Sequence, residues 1–256
     1  MSEPDPSIVA RLRAAGCVFA EEEAVLLAEA ASSAAELEAL VARRVAGEPL
    51  EPLLGWVEFC GLRLRIEPGV FVPRQRTSLL AERAAMLAHR GSTVVDLCCG
   101  AGAIGAVVAA RVPGAEVYAA DVDPAAVRCA RLNLPADRVF EGDLFGALPS
   151  SLRGTVDVLA VNAPYIPSSA ISGMPPEARD HEPSVALDGG ADGLDVHRRI
   201  AAEASGWLAP AGVLLIEAAE AQADTSAALF AASGLDTRTE TDPELRTSVV
   251  IALKAR

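Results

Sequence analysis

From Thr93 to Glu217 the chain passes repeatedly from a short apolar run into a helical stretch, and this alternation limits the fold more than any other feature. The runs are Thr93–Leu97, Glu116–Ala120, Val139–Glu141, Asp157–Val161 and Val213–Glu217; helices are expected from Ile104, from Pro124 and over Val196–Leu208. Parallel strands need long crossovers, and helical crossovers cover sheet faces, so the pattern predicts an α/β fold with a mostly parallel sheet. Hydrophobic residues make up 51% of the chain and aromatics only 4%, which suits a buried sheet wrapped by alanine-rich helices. Two last strands, Asp236–Glu240 and Ser248–Lys254, flank Asp242-Pro243 without a helix between them and should pair antiparallel. With 256 residues, one large domain and a small appendage are expected.

The appendage is predicted at the amino-terminal end. Between Ser7 and Gly47, Ile8, Leu12, Val25, Leu26, Leu37, Leu40 and Val41 recur at helical spacings, implying two or three short helices. Leu62, Leu64 and Ile66 then alternate with Arg63 and Arg65, and Pro68-Gly69 offers a turn before Val70-Phe71-Val72, which reads as a β-hairpin. A helix follows over Thr77–Arg90. The expected division is a helical unit over 1–48, a hairpin linker over 49–73 and the main domain over 74–256. Nine acidic residues against four arginines in the first 48 positions describe a solvated acidic face, or more sharply a docking surface for a basic protein.

Net charge and cysteine usage exclude several function classes. A formal charge of −13 disfavours binding to nucleic-acid backbones, which requires clustered lysine and arginine. Five cysteines, at positions 17, 60, 98, 99 and 129, show no zinc-ligand spacing, and no metal site is expected. Met1 to Ser7 lacks the basic and apolar regions of a secretory signal, and no apolar stretch approaches membrane-spanning length. The expectation is a cytoplasmic protein without membrane contact.

The first strand ends in Asp96-Leu97-Cys98-Cys99-Gly100-Ala101-Gly102, and the glycines open the next helix. Missing β-carbons there let backbone amides approach a nucleotide-like cofactor. Asp121 closes the second strand nineteen residues after Gly102, a spacing that lets its carboxylate accept both ribose hydroxyls. A nicotinamide dehydrogenase shares these features, so the glycines alone do not choose the cofactor. Asp143-Leu144, after the third strand, would place an acid toward a base's exocyclic amine and a leucine on its ring.

Asn162-Ala163-Pro164-Tyr165 follows the strand Asp157–Val161, where ligands of open α/β sheets bind. The group suits a planar NH2: the Asn162 side-chain oxygen and the Ala163 carbonyl each take one N–H, and Tyr165 lies against the plane. Pro164 biases Ala163 toward extended geometry and aims its carbonyl.

These residues resemble the bacterial protein-(glutamine-N5) methyltransferases, a family that modifies peptide-chain release factors, with a sister group acting on a ribosomal protein. The similarity runs from about Gly47 to Lys254 and includes Gly47-Glu48-Pro49-Leu50, Gly69-Val70-Phe71-Val72-Pro73-Arg74, the Asp96–Gly102 turn, Asp121, Asp143-Leu144-Phe145, and the loop from Glu182-Pro183 to Gly193. The family's Asn-Pro-Pro-Tyr maps onto Asn162, Ala163, Pro164 and Tyr165, with alanine in place of the first proline. Cys98 and Cys99 stand where the family has small residues, Ser78 replaces a glutamate, and the helical amino-terminal piece is shorter.

The resemblance implies a Rossmann-like, seven-stranded class I S-adenosylmethionine-dependent methyltransferase domain acting as a monomer on a protein glutamine. It assigns S-adenosyl-L-methionine to Cys98, Cys99, Gly100, Ala101, Gly102, Asp121, Asp143, Leu144 and Asn162, and catalysis to Asn162 through Tyr165. Two alternatives stay open: an amino-methyltransferase of adenine or cytosine, and a noncatalytic cofactor-binding interaction protein. His89, His181 and His197 are expected in surface or loop roles, and Glu217 either borders the cofactor or merely ends its strand.

Overall fold

In the computed structural model, which describes residues 4–256, the predicted apolar runs become the centre of a seven-stranded sheet. Met1 to Glu3, part of the expected acidic amino-terminal stretch, lie outside the described residues. Strands β3 (Thr93–Leu97), β4 (Glu116–Asp121), β5 (Val139–Glu141), β6 (Val156–Val161) and β7 (Leu208–Ala218) run parallel in the order β5-β4-β3-β6-β7. Antiparallel β9 (Thr247–Leu253) follows, with β8 (Asp236–Asp242) at the edge.

Both faces of this sheet are covered, which is why its strands read as continuous apolar runs. Val94 joins one core with Val117, Val158 and Leu215, under helices α5 (Ser78–Leu87), α6 (Ala103–Arg111) and α7 (Pro124–Ala130). Val95 and Leu97 point the other way and pack with Leu159, Leu214 and residues of α9 (Asp195–Trp207) and α10 (Glu220–Ala232). Helix α10 escapes the periodicity argument because its buried residues, Ala223, Ser226 and Phe230, include only one large apolar side chain.

The amino-terminal helices α1 (Pro6–Ala14), α2 (Ala20–Ala30) and α3 (Ala34–Val45) surround their own core of Leu12, Leu27 and Val41. Asp5 caps α1 and Ser33 caps α3 by accepting backbone N–H bonds that no helical carbonyl can take. A fourth short helix, α4 (Leu50–Leu54), ends at Gly55 in the left-handed region. Half-buried Arg44 of α3 binds Glu23 of α2 at 2.6 Å and Glu177 at 3.1 Å, tying these helices to α8 (Pro176–His181), itself unanticipated.

The hairpin is present but turns elsewhere than expected. Strand β1 (Trp56–Phe59) pairs with β2 (Leu62–Arg65) across Cys60-Gly61, both with positive φ (50° and 78°). Two consecutive left-handed residues make the turn that follows natural strand twist, a role Cys-Gly does not advertise. Val70 and Val72 are buried without forming a strand.

His197 also departs from expectation, being fully buried on α9 with Nδ1 2.8 Å from the Ser226 hydroxyl of α10 and Nε2 unpaired. Burial holds its pKa down at about 4, against 6.5 for a free imidazole, and the nearby Arg198 charge adds to the effect. Below pH 6.5 the unfolded chain takes a proton that the native state refuses. This contribution to stability is complete above pH 6.5 and declines as pH falls toward 4, by about 2–3 kcal/mol. The stability difference between the wild type and His197→Asn, followed by denaturant titration, should shrink by that amount between neutral pH and pH 4. Among the described residues no helix is long and apolar enough to cross a membrane.

Candidate active site

The strand register delivers the site's polar groups as one row. Leu97 is level with Ala120 and with Val161, and Val161 with Ile216, so the next residues, Cys98, Asp121, Asn162 and Glu217, stand together at the carboxyl edge. Strand order reverses at β3, with β4 on one side and β6 on the other; such a switch point opens a crevice. A cavity of about 480 Å³ occupies it, within the roughly 300–1,000 Å³ typical of small-molecule sites.

Cys98, Cys99, Gly100 and Ala101 line one wall, with Asp121 beside them and Asp143 and Leu144 beyond. Asn162, Ala163, Pro164 and Tyr165 line the cavity as well. Gly102 is the exception among the expected residues, since it does not line the cavity. At φ +76° it begins α6, and a β-carbon there would stand 2.9 Å from Leu134 Cδ1, so its role is packing against the segment after α7.

Asp121 organises the glycine turn. Its Oδ2 accepts the Gly100 N–H at 2.8 Å and its Oδ1 the Asp123 N–H at 2.9 Å, leaving one further lone pair on each oxygen. Burial raises its pKa against those two donors. Asp96 is sealed beneath the turn, where Oδ2 accepts the Gly105 N–H at 2.8 Å and Oδ1 has no partner; burial pushes its pKa up to about 8. Both thiols are free, and burial raises their pKa values, with the neighbouring aspartates adding to it, so they are neutral packing groups. Cys98 (φ 58°) and Leu144 (φ 47°) are left-handed without being glycine, a strain of roughly 1–3 kcal/mol each of the kind held at functional sites. Asp143 lines the cavity and pairs with Arg199, another lining residue, at 2.5 Å.

The loop after β6 is strapped in place. Ile166 donates its N–H to the Leu187 carbonyl and accepts from Gly189, and Gln222 Nε2 donates to the Tyr165 carbonyl at 3.0 Å. Asn162 Nδ2 donates to the Thr77 hydroxyl at 3.3 Å. Its Oδ1 and the Ala163 carbonyl accept no bond from the described residues. Tyr165 donates its hydroxyl to Glu217 Oε1 at 3.0 Å, and Glu217 is 1% exposed. Glu217 therefore borders the Asn162–Tyr165 end of the site.

Sequence reasoning missed Thr77, Arg76 and Glu182. Thr77 is buried on a 3-10 turn (Gln75–Thr77) that the fold brings across 85 positions to Asn162. Glu182 accepts from Arg74 at 2.6 Å and from the Val72 N–H, fixing Phe71 to Arg74 along the mouth. Glu182 lies in a segment shared with the resembled family, whereas Arg76 and Thr77 follow the shared Gly69–Arg74 segment and carried no signal of their own.

Residues 61–172 match the methyltransferase small domain family. A release factor glutamine methyltransferase of Geobacter sulfurreducens is 38% identical over 80% of this chain and 72% of its own length. A 4-amino-L-phenylalanine/4-methylamino-L-phenylalanine methyltransferase of Streptomyces pristinaespiralis is 39% identical over 76% of the chain and 69% of its own. Among solved structures, a methyltransferase from Pyrococcus furiosus superimposes with a TM-score of 0.56 at 18% identity, over 77% of this chain and 91% of the other, which shows the shared fold. The sheet order, the aligned polar row and these relatives agree that the chain belongs to the release factor glutamine methyltransferase family, a group of S-adenosylmethionine-dependent protein-(glutamine-N5) methyltransferases.

Proposed function

We propose that this protein transfers a methyl group from S-adenosyl-L-methionine to the N5 amide nitrogen of a glutamine in a peptide-chain release factor. The observation that carries the reading is the orientation of Asn162. Its NH2 is turned inward to Thr77, so two free oxygens, Asn162 Oδ1 and the Ala163 carbonyl, stand together at the cavity.

The residues present fit the cofactor. Gly100 lies at φ +54° with no atom within 4 Å of where a β-carbon would be, which leaves open cavity beside its backbone. The spare lone pairs of Asp121 suit a ribose diol, and buried Leu144 offers an apolar face to a base. When bound, S-adenosylmethionine supplies an electrophilic methyl group on a cationic sulfur. An amide nitrogen is a weak nucleophile, so the protein's contribution is positioning and exclusion of water. Asn162 Oδ1 and the Ala163 carbonyl each accept one N–H of the acceptor, which fixes its plane and draws its lone pair outward. Tyr165 walls that plane, its hydroxyl anchored on Glu217.

The helical unit over 1–48, joined by 49–73 to the domain over 74–256, is proposed to recognise the protein substrate. A monomer in the cytoplasm, binding neither nucleic acid nor membrane, accords with the charge of −13. The test is labelled methyl transfer with purified release factor and with bulk RNA or DNA as separate acceptors. Label is expected in the protein alone; label confined to nucleic acid contradicts the proposal.

A further inference from the structure

We propose that Arg44 is a positioning residue for the acceptor: through Glu177 it ties the helical amino-terminal unit to segment 168–186, a wall of the cavity, and so fixes where that wall stands beside the acceptor loop. The inference deepens the proposed function and rests on Asn162–Tyr165 being the acceptor loop.

Segment 168–186 has little apolar burial to hold it. Across it only Ala178 and Glu182 are buried, and a stretch with so few buried apolar contacts opens at low free-energy cost. Yet Met174, Pro183, Val185 and Ala186 line the cavity, so its position matters to whatever enters. Polar ties decide that position. The neck of the segment is closed by backbone bonds: Ile166 exchanges them with Leu187 and Gly189, and Ser168 donates to the Gly190 carbonyl. The far part, α8 and its flanks, is held by two carboxylates instead. Glu182 accepts from Arg74 at 2.6 Å and from the Val72 N–H at 3.2 Å. Glu177, in the first turn of α8, accepts from Arg44 Nη1 at 3.1 Å.

Arg44 is arranged as a junction and not as a solvated cation. Its Nε and Nη2 donate to the buried Glu23 carboxylate of α2 at 2.6 and 3.2 Å, while Nη1 donates to the Glu48 carbonyl at 2.9 Å as well as to Glu177. A rigid, planar guanidinium that donates in several directions fixes the relative placement of its partners. The linker meets the other end of α8 too, since a β-carbon on Gly47 would lie 3.8 Å from His181 Nε2. A protein acceptor bound by the helical unit would then meet a wall held by that same unit.

Arg44→Ala is a blunt test, because it leaves Glu23 buried and unpaired and can unfold the helical unit. Glu177, whose side chain is 45% exposed, can be changed without that cost. Glu177→Ala deletes the tie, whereas Glu177→Gln keeps a carbonyl oxygen to receive the Nη1–H. Hydrogen exchange is followed by mass spectrometry on cofactor-free protein; kcat, KM for purified release factor and affinity for S-adenosylhomocysteine are measured on the same variants. Glu177→Ala should speed exchange across 174–186 while α1, α2 and α3 stay as protected as in the wild type. It should also raise the release-factor KM roughly 10-fold at unchanged kcat, as the fraction of molecules with the wall in place falls. Glu177→Gln should restore most of both, and S-adenosylhomocysteine should bind all three proteins alike. Wild-type exchange of 174–186 in Glu177→Ala would overturn the tie; faster exchange with an unchanged KM would overturn its role in positioning. If the wild type transfers nothing to release factor, the acceptor reading fails and takes the positioning role with it, whereas the tie stands or falls on exchange.

Discussion

Asn162→Ala should reduce methyl transfer by roughly 10²–10³-fold, the usual consequence of removing one preorganised hydrogen-bonding group from a reaction centre. Cofactor binding should survive, because Asp121 and the Cys98–Ala101 turn remain in place. The loss should appear in kcat, measured at saturating S-adenosylmethionine, since the carboxamide acts on the acceptor nitrogen as it begins to bond. Asn162→Asp is the informative companion. It keeps an oxygen acceptor but deletes the NH2 that binds Thr77, and it places a second acid in a pocket already holding Glu217. Equal loss of binding and turnover in Asn162→Ala would show that its role has been misassigned.

Asp121→Ala should produce the largest loss on the binding side, a weakening of S-adenosylhomocysteine by roughly 10²-fold, from about 3 kcal/mol of charge-assisted bonds to two hydroxyls. The same carboxylate accepts the Gly100 and Asp123 N–H groups. Its removal therefore also loosens the turn that frames the cavity. Burial raises the Asp121 pKa, so wild-type affinity should decline toward acid pH as the carboxylate loses its charge. Isothermal titration across pH would show that decline in the wild type and a flatter, weaker profile in Asp121→Ala.

The sheet was legible in the sequence because β3, β4, β6 and the second half of β7 are largely buried on both faces and so appear as mostly apolar runs, interrupted by single acids such as Asp96 and Asp157. The glycine turn and Asp121 were legible for a related reason: residues one step past each run share a row. What escaped lay outside that logic. Helix α10 buries mostly small residues that carry no hydropathic stripe, and the Cys60-Gly61 turn has a cysteine where asparagine or aspartate usually precedes the glycine. His197 sits on a helix whose burial comes from α10 folding over it, which no local pattern records. Thr77 gained its place through a contact spanning 85 positions. Arg199 on α9, which pairs with Asp143 at the cavity, was likewise not legible, because the pairing spans 56 positions.

In the proposed reaction two oxygens, one from a side-chain amide and one from the neighbouring peptide, hold a planar nitrogen acceptor, a glutamine amide. Locating the methyl group by fragmentation mass spectrometry of purified release factor, after incubation with this protein and S-adenosylmethionine, tests it most directly. The predicted result is one added methyl on the side-chain nitrogen of a glutamine, absent with Asn162→Ala. An unmodified release factor, alongside ready methylation of a free aromatic amine such as 4-amino-L-phenylalanine, would contradict it.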